Sequence, residues 1–404
     1  MKKQGETRKQ PSHKKYLIAA FLILLLIIAS LVFIILTQKP QFDPANELII
    51  RNAASYHLYV KTNIQKEPDD LTDEDFAKIT EMSLTHSMGN SSYNSWRDMN
   101  TGKYLTELKL RELSNIKLLE KFTNLQTLSL AYLSIPPKEI PKWMRILAKR
   151  GIYDLNERFS LDLSPLRNLS DIEKLDLTKA QINNIEPLSG LIKLKNLGLS
   201  ETGISNVEPL RKLTHLQYLT LSNTRVKDIE PLRNLINLES LYLESTQVSD
   251  LEPINGFINL KFLHLYDTPV SNLEFVRGLA QLGELDLNCT QVSNLEPLRN
   301  LKNIWNLTIS NTKVTNIEPI KDLKSLYYLN LISTQVSDLE PIRGLTNLRI
   351  LQIGDTPVSD LEPIKALKKL EVIYMENCVN ISEEQKNDLK KAMPALKFSK
   401  DGIG

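Results

Sequence analysis

Cysteine is scarce in this chain, because Cys289 and Cys378 are the only two among 404 residues. They lie four periods apart in the 22-residue repeat described below. At ~4.8 Å per stacked coil this spacing places the two residues ~19 Å apart, whereas a disulfide needs Cα atoms within ~7 Å. We therefore expect no disulfide, and a fold held together by packing alone.

A dominant charge of one sign is also lacking, since the formal net charge is only +2. A nucleic-acid binder uses a broad basic field, which this composition does not supply. The chain has no metal-ligand spacing, phosphate-binding loop or nucleotide motif, and the acidic run Asp69–Asp75 lacks the spacing of a calcium loop. Thr72 followed by Asp75 indicates a helix start instead. We expect neither nucleic acid, nor a metal, nor a small-molecule cofactor as a ligand.

A long run of uncharged, apolar residues occurs near the N-terminus, from Tyr16 to Leu36. Roughly 21 residues at ~1.5 Å each span about 31 Å of helix, which matches the hydrocarbon core of a bilayer. Lys and Arg cluster before this run and only Lys39 follows it closely, so the positive-inside rule leaves the N-terminus in the cytoplasm. A cleaved signal peptide is the alternative, but its apolar region is shorter, at about 7 to 15 residues. The sequence predicts a single-pass membrane protein with a transmembrane signal anchor at 16–37 and a periplasmic or extracellular repeat domain.

A repeated phrase fills the chain from Ile172 to Cys378, where Leu-x-x-Leu-x-Leu-x-x-Thr-x-Val-x-x-Leu-x-Pro returns every 22 residues. Its apolar positions, such as Leu219 and Leu221, are expected to point into one coil and to stack on their equivalents above and below. The recurring proline, replaced once by Phe275, prevents a long helix and predicts a short 3₁₀ or extended return. One coil cannot bury these side chains alone, so the pattern predicts stacked coils that share one parallel sheet.

The phrase resembles the 22-residue leucine-rich repeat of bacterial internalin-like proteins, and the resemblance covers roughly Ile79 to Phe398. It implies an α/β repeat fold, namely a leucine-rich-repeat solenoid with a curved parallel β-sheet on the concave face, short returns on the convex face, and helical N- and C-caps. A capping box at Ser382 and Gln385 opens the C-terminal cap. The expected segments are a basic cytoplasmic tail (1–15), the signal anchor (16–37), a helical N-cap with the first strand (43–84), irregular repeats with a loop and a helical insertion (85–165), regular repeats (166–380) and a helical C-cap (381–404).

The irregular first half contains two interruptions of the repeat. Thr85–Lys103 is polar and predicts a long loop, and strand phrases follow at Leu105–Leu110 and Leu125–Leu130. Glu139–Arg150 is then amphipathic and ends at Gly151. This segment predicts one enlarged coil with a helix on its outer side, and a flexible joint is the alternative.

Two polar columns accompany the leucines. One threonine per repeat, from Thr202 to Thr356, is expected to tie the backbone of its turn to the adjacent coil. One glutamate per repeat stands three residues before a basic residue, as Glu208 does before Arg211. Exposed pairs are worth ~0 to 1 kcal/mol, so this column is expected to offset repulsion between coils and to keep the surface soluble. Nucleophiles in the first column, or metal ligands in the second, are the less favoured interpretations.

The strand residues between the leucines differ from repeat to repeat, so functional information is expected there. Aromatic residues make up only 6% of the chain, yet they cluster at these positions in the middle repeats. Exposed aromatics around acidic residues are typical of a protein-binding hot spot. The alternative is that aromatics simply suit a sheet surface and stack across its strands. The predicted partner-binding residues on the concave face are Tyr218, Tyr242, Phe262, His264, Tyr266, Glu284, Asp286, Trp305, Tyr327 and Tyr328.

An enzyme would have to start from His264 and Asp286, which occupy equivalent positions on neighbouring coils and are expected within ~5 Å of one another. Catalysis also needs a nucleophile, metal or oxyanion donor in a pocket, and only Tyr242 and Thr308 offer hydroxyls nearby on an open sheet. We therefore predict a non-enzymatic, membrane-anchored protein that binds a protein partner, with a glycan as the second choice of ligand. A structural or self-associating envelope component is the competing class.

Overall fold

In the part of the chain that the structure describes, the repeats form one continuous sheet of thirteen parallel strands, stacked in the order of the chain. A computed structural model describes residues 70–83, 116–131 and 160–399. Each strand is three residues long and pairs in register with the next, so that Leu219 stands between Leu197 and Leu241. The strands β1 to β13 are Glu81–Ser83, Thr127–Ser129, Lys174–Asp176, Asn196–Gly198, Tyr218–Thr220, Ser240–Tyr242, Phe262–His264, Glu284–Asp286, Asn306–Thr308, Tyr328–Asn330, Ile350–Gln352, Val372–Tyr374 and Lys397–Ser399.

Short 3₁₀ helices on the opposite side return the chain to the next strand, which is one of the two forms of return that the recurring proline predicted. Proline occupies the first turn of most of them, where its fixed φ suits the helix and its missing N–H costs nothing. From Ser164–Leu166 onward, an Asn or Asp two residues earlier caps each turn, as when Asn206 accepts from the N–H of Glu208 at 2.8 Å. These helices are Lys117–Lys121, Ser164–Leu166, Glu186–Leu188, Glu208–Leu210, Glu230–Leu232, Glu252–Ile254, Glu274–Gly278, Glu296–Leu298, Glu318–Ile320, Glu340–Gly344 and Glu362–Ala366.

The core is a column of fully buried aliphatic side chains between the sheet and the 3₁₀ helices. In the coil that contains β5, Leu216, Leu219, Leu221 and Val226 are 0% exposed. Burial of each such side chain contributes about 1.5 to 3 kcal/mol before conformational entropy is counted. Phe257 fills the place of a leucine in its coil and is equally buried. The stack therefore has one core that each coil shares with its neighbours.

The threonine column is buried, but it stabilises a different contact from the one that the sequence predicted. Thr246 donates its hydroxyl to the carbonyl of Leu243 at 2.7 Å, and all eight threonines from Thr202 to Thr356 repeat this bond three residues back. The expected tie to the adjacent coil is therefore wrong. The reason is local: the residue before each threonine has a left-handed backbone, with φ of 52° at Ser245, and this turn points the hydroxyl at its own strand.

Side-chain links between coils come from asparagines that the sequence analysis did not single out. Asn237 donates to the carbonyl of Thr214 at 2.8 Å, and Asn303 donates to that of Ala280 at 2.8 Å. Each donor stands just before a core residue and reaches back 23 positions, which is one coil plus one residue. These bonds supplement the hydrogen bonds of the sheet.

The outer surface carries the glutamate and basic columns as ion pairs three residues apart. Arg211 pairs with Glu208 at 2.6 Å and Arg299 with Glu296 at 2.6 Å, so the predicted pairing is confirmed. Arg233 also reaches Glu252 of the next coil at 2.5 Å. Hydrogen bonds from the guanidinium lower the pKa of Glu296 and keep that carboxylate ionised.

Helices cover the stack at both described ends. Helix α1, Asp73–Ala77, begins at a capping box on Thr72 and Asp75, and Phe76 packs on Phe122 with ring centroids 4.9 Å apart. Helix α2, Glu383–Ala392, begins at the predicted box on Ser382 and buries Leu389. The chain then adds β13, which pairs with β12 and which the sequence analysis did not separate from the cap.

Several sequence predictions fall outside the described residues. They are the signal anchor at 16–37, the loop Thr85–Lys103 and the helical insertion Glu139–Arg150. The predicted strand Leu105–Leu110 also lies outside them. Within 70–83, 116–131 and 160–399, no helix combines the length and apolarity needed to cross a membrane. Cys289 is half-buried, Cys378 is buried, and both are free thiols.

Candidate protein-binding face

The solvent-facing side of the sheet, hereafter the sheet face, is built by the alternation of strand side chains. The middle residue of each strand is buried in the core, and the first and third residues point outward. The residue before each strand and the second residue after it flank these two positions. Four columns of side chains thus run across the sheet, and within each column the side chains of successive strands lie ~4.8 Å apart.

All ten residues predicted to bind a partner lie on the sheet face between β5 and β10. Trp305 and Tyr327 precede their strands, and Tyr266 lies beyond β7; these three side chains are 40%, 41% and 43% exposed. The other seven are half-buried. In the first strand position stand Tyr218, Phe262, Glu284 and Tyr328, and in the third stand Tyr242, His264 and Asp286.

Three rings form a stacked row across β5, β6 and β7. The ring of Tyr242 is 5.4 Å from that of Tyr218 and 4.6 Å from that of His264, with tilts of 48° and 58°. Tilted contacts at these separations are favourable aromatic geometries. Burial raises the pKa of Tyr218 and of Tyr242, so both hydroxyls stay neutral. The row is a packed part of the face and holds the imidazole in place.

His264 lies between two carboxylates. Its Nδ1 is 3.1 Å from Glu244 Oε1 and its Nε2 is 3.0 Å from Glu284 Oε1. Only the imidazolium can donate from both nitrogens, so this geometry belongs to the protonated ring. Burial lowers the pKa of His264, but the hydrogen bond to Glu244 and the nearby charges outweigh it and leave the pKa raised. Burial likewise opposes the bonds from His264 and Ser222, which nevertheless lower the pKa of Glu244.

His264 and Asp286 are register partners on adjacent strands, as predicted, but they do not form an acid/base pair. Asp286 Oδ1 instead accepts from the Thr308 hydroxyl at 2.7 Å and from the N–H of Asn288 at 2.9 Å. The nitrogens of His264 reach diagonally to Glu244 and Glu284 because the row of rings fixes the imidazole plane. This arrangement holds charged side chains in fixed positions. It contains no activated nucleophile among the residues that the structure describes.

Sequence reasoning missed Glu244, Asn306 and Gly283. Glu244 occupies the flanking position that Tyr266 holds one coil later, so extending the variable set to that column would have found it. Gly283 makes room for Trp305, since a Cβ added there would lie 2.6 Å from the indole Nε1. The indole therefore folds over the backbone next to Glu284. One coil further on, the Arg349 guanidinium lies 5.8 Å from the Tyr327 ring centroid.

A second feature of the sheet face is a hollow of about 450 Å³ over β2 to β5. Gly198 is one of its lining residues, and a Cβ added there would lie 2.7 Å from Asp176 Oδ1. Short hydroxyl side chains, Asn196 and Tyr218 form most of its lining. No group of three or more His, Cys, Asp or Glu in the described ranges could hold a metal ion.

Comparison with known proteins gives one family and many solved structures. The family model of leucine-rich repeats in two copies matches residues 192–234 and 214–256. A search of curated proteins gives no match to this chain. The solved structures described next are less than 25% identical, so their likeness concerns the fold.

An internalin from Listeria monocytogenes, inlF, is 22% identical with a TM-score of 0.66, over 91% of this chain and 100% of that one. A leucine-rich-repeat protein from Leptospira interrogans is 24% identical with a TM-score of 0.51, over 71% and 76%. A plant peptide hormone receptor, RGFR1, in complex with RGF2, is 17% identical with a TM-score of 0.53, over 70% and 52%. Together with the in-register sheet and the 3₁₀ returns, these matches show that the chain is a leucine-rich-repeat solenoid with an internalin-like fold.

Proposed function

We propose that this chain is a non-enzymatic, membrane-anchored protein whose repeat domain lies outside the cytoplasm and binds a protein partner on the sheet face. The observation that carries the proposal is the exposure of Tyr266, Trp305 and Tyr327 at 40 to 43% on one face of neighbouring coils. Large aromatic side chains with half-buried neighbours are the usual anchors of a protein interface. The structurally similar plant peptide hormone receptor RGFR1, in complex with RGF2, offers an example of a similar fold with a bound partner.

The membrane anchor rests on the sequence of 16–37, which is apolar, long enough to span a bilayer and preceded by basic residues. A membrane-impermeant maleimide applied to intact cells tests the orientation, because Cys289 is half-buried and Cys378 is buried. We expect the wild type to be labelled and Cys289→Ser to lose most of the label. Labelling that appears only after the cells are lysed would place the repeats in the cytoplasm.

Self-association is the second candidate, and one specific feature favours it. Ile192, Ile236 and Ile258 each follow a buried core residue and are 54%, 53% and 61% exposed. Ile236 and Ile258 stand at the same repeat position of adjacent coils, on a side of the molecule distinct from the aromatic residues. Exposed apolar side chains grouped in this way are typical of contact surfaces.

A glycan ligand is the third candidate, and the hollow around Gly198 favours it. The lining of hydroxyls, Asn196 and Asp176 beside Tyr218 matches the polar groups and the aromatic platform that sugars use. Its position over β2 to β5 separates this site from the exposed aromatics on β7 to β10. Gly198→Ala would crowd Asp176 and abolish glycan binding while leaving protein binding unchanged.

The decisive experiment captures partners from native cells with the full chain in detergent, after crosslinking. We expect the triple variant Tyr266→Ala, Trp305→Ala, Tyr327→Ala to lose the partner that the wild type retains. Its thermal unfolding should be nearly unchanged, because these side chains lie outside the core. The matched control replaces Ile192, Ile236 and Ile258 with Ser, and should retain the partner. Loss of capture in the isoleucine variant alone would move the interface to the other surface.

A further inference from the structure

Charge is balanced differently on the two sides of the solenoid. On the outer surface, seven glutamates each have a basic residue three positions later and form an ion pair with it. On the sheet face of β8 to β10, the two carboxylates of Glu284 and Asp286 have no Lys or Arg beside them in the four described columns. The nearest bases are already engaged, since Lys261 pairs with Glu239 and Arg349 with Glu371.

The same area contains carboxylate and amide oxygens that can each accept a further hydrogen bond. Both described hydrogen bonds to Asp286 end on Oδ1, and the one to Glu284 ends on Oε1, so each carboxylate keeps a second oxygen for another donor. Asn306 is the register partner of Glu284 on β9, and its Oδ1 is buried without a hydrogen-bond partner in the described structure. A buried acceptor left in this state is unfavourable, and a ligand donor that reached it would remove that cost.

Trp305 forms an aromatic wall beside these acceptors. Its indole lies over Gly283, the residue immediately before Glu284, and the side chain remains 40% exposed. The face of a tryptophan ring attracts a cation within about 6 Å. An aromatic wall next to carboxylate and amide oxygens suits a group that is flat or compact, positively charged and rich in N–H donors.

We propose that the sheet face over β8 and β9 receives an arginine or lysine side chain of the protein partner, held by Glu284, Asp286 and Asn306 against the indole of Trp305. This inference rests on the proposed function, because it names the chemistry of the partner that the aromatic residues bind. Complementary charge is the reason for choosing a basic segment, since an acidic one would meet three carboxylates, those of Glu244, Glu284 and Asp286, around the single imidazolium of His264.

Binding of a basic side chain is coupled to the proton on His264. The groups that face this imidazole are Glu244 and Tyr242 from β6 and its flank, and Glu284 and Asp286 from β8. A second cation at Glu284 competes with the imidazolium for the same carboxylate. The basic segment should therefore bind more tightly once His264 has lost its proton, that is, as the pH rises from about 6 to 8.

The test selects peptides from a random phage-displayed library on the full chain in detergent micelles, and sequences the bound pool. We expect enrichment of Arg or Lys, and loss of binding when that residue of a selected peptide is replaced by citrulline or norleucine. Asp286→Asn should weaken the selected peptide by about tenfold, a factor that corresponds to ~1.4 kcal/mol. Glu340→Gln is the matched control, because Glu340 belongs to the outer ion pairs and should leave the affinity unchanged.

The outcomes separate this inference from the proposed function. If Trp305→Ala abolishes binding of the selected peptides while Asp286→Asn and Glu284→Gln leave it intact, the sheet face binds protein but the basic anchor is wrong. Enrichment without any basic residue leads to the same conclusion. If neither the aromatic nor the acidic variants change binding, both proposals fail. The pH series adds an independent readout, since affinity that falls between pH 6 and 8 contradicts the coupling to His264.

Discussion

At the scale of single residues, the threonine column shows how one hydroxyl stabilises each turn. Its oxygen is buried and donates to the carbonyl three residues back at 2.6 to 2.7 Å. The residue before each of these eight threonines is left-handed, and none of the eight is glycine. A left-handed backbone is unfavourable for a residue with a side chain, and the threonine bond helps to offset this cost. The bond is not required for the turn, since Lys179 is also left-handed and precedes Ala180.

Replacing Thr246 tests this interpretation. Thr246→Val keeps the shape but removes the donor to Leu243, and we expect a loss of roughly 1 to 3 kcal/mol in the free energy of unfolding because a buried carbonyl loses its partner. Thr246→Ser keeps the hydroxyl and should cost less. Denaturant titration of both variants gives the comparison. Equal losses would show that packing of the methyl group, rather than the hydrogen bond, stabilises the turn.

His264 makes stability depend on pH in a defined direction. Because its pKa is raised in the folded chain, its contribution is fully present below the ordinary histidine value of about 6.5 and is lost as the pH rises through the folded value. The unfolding free energy of the wild type minus that of His264→Gln should therefore decrease from pH 6 to 8. Denaturant titrations at several pH values measure it. A difference that stays constant between pH 6 and 8 would contradict this role of His264.

The candidate site was only partly predictable at this scale. The set of side chains that face outward could be predicted from the alternation of residues along each strand, because alternation depends only on sequence position. The bonds of His264 did not follow, because they run diagonally to Glu244 and Glu284 and depend on ring orientation. The threonine bonds were assigned to the wrong partner for a related reason, since the left-handed residue that directs them has no side-chain signature.

At the scale of one coil, apolar packing and surface charge contribute very differently, and adjacent residues of one 3₁₀ helix allow a direct comparison. Leu298 is 0% exposed, whereas Arg299 pairs with Glu296 on the surface. We expect Leu298→Ala to cost about 2 to 5 kcal/mol through lost burial and a cavity, and Arg299→Gln to change stability by less than about 1 kcal/mol. Thermal and denaturant unfolding would measure both. A large effect of Arg299→Gln would mean that the ion-pair column acts as a network.

The elements of each coil were largely predictable because the period fixes them. The spacing of the leucines predicted the strands, and the recurring proline predicted the short 3₁₀ or extended returns. The Asn and Asp caps of those helices and the asparagine links between coils were missed, although they recur at multiples of 22 residues. Asn and Asp are common in turns, and their spacing alone does not identify the backbone group that each side chain binds. Strand β13 was also missed, because it follows a helix and carries only a fragment of the repeat phrase.

At the scale of the whole molecule, each coil is stabilised by the coils on either side of it. The first and last coils have a neighbour on one side only, so they depend on the helices that cover them. Helix α2 buries Leu389 against the last coil and exposes Lys390. We expect Leu389→Asp to raise amide exchange in 360–399 far more than in 172–240, and Lys390→Asp to leave both unchanged. Hydrogen exchange with mass spectrometry resolves the two regions. Uniform acceleration along the chain would instead show that the stack unfolds as one unit.

In-register pairing also places equivalent side chains on the sheet face at a constant spacing. Tyr218 on β5 and Tyr328 on β10 are five strand steps apart, or ~24 Å at ~4.8 Å per step. Excision of one 22-residue coil between them would join equivalent positions and shorten this distance by ~5 Å without altering either neighbour. A rigid partner that touches both ends would then lose one contact, whereas a flexible segment would adjust. The change in binding after one coil is removed therefore reports the length and stiffness of the bound partner.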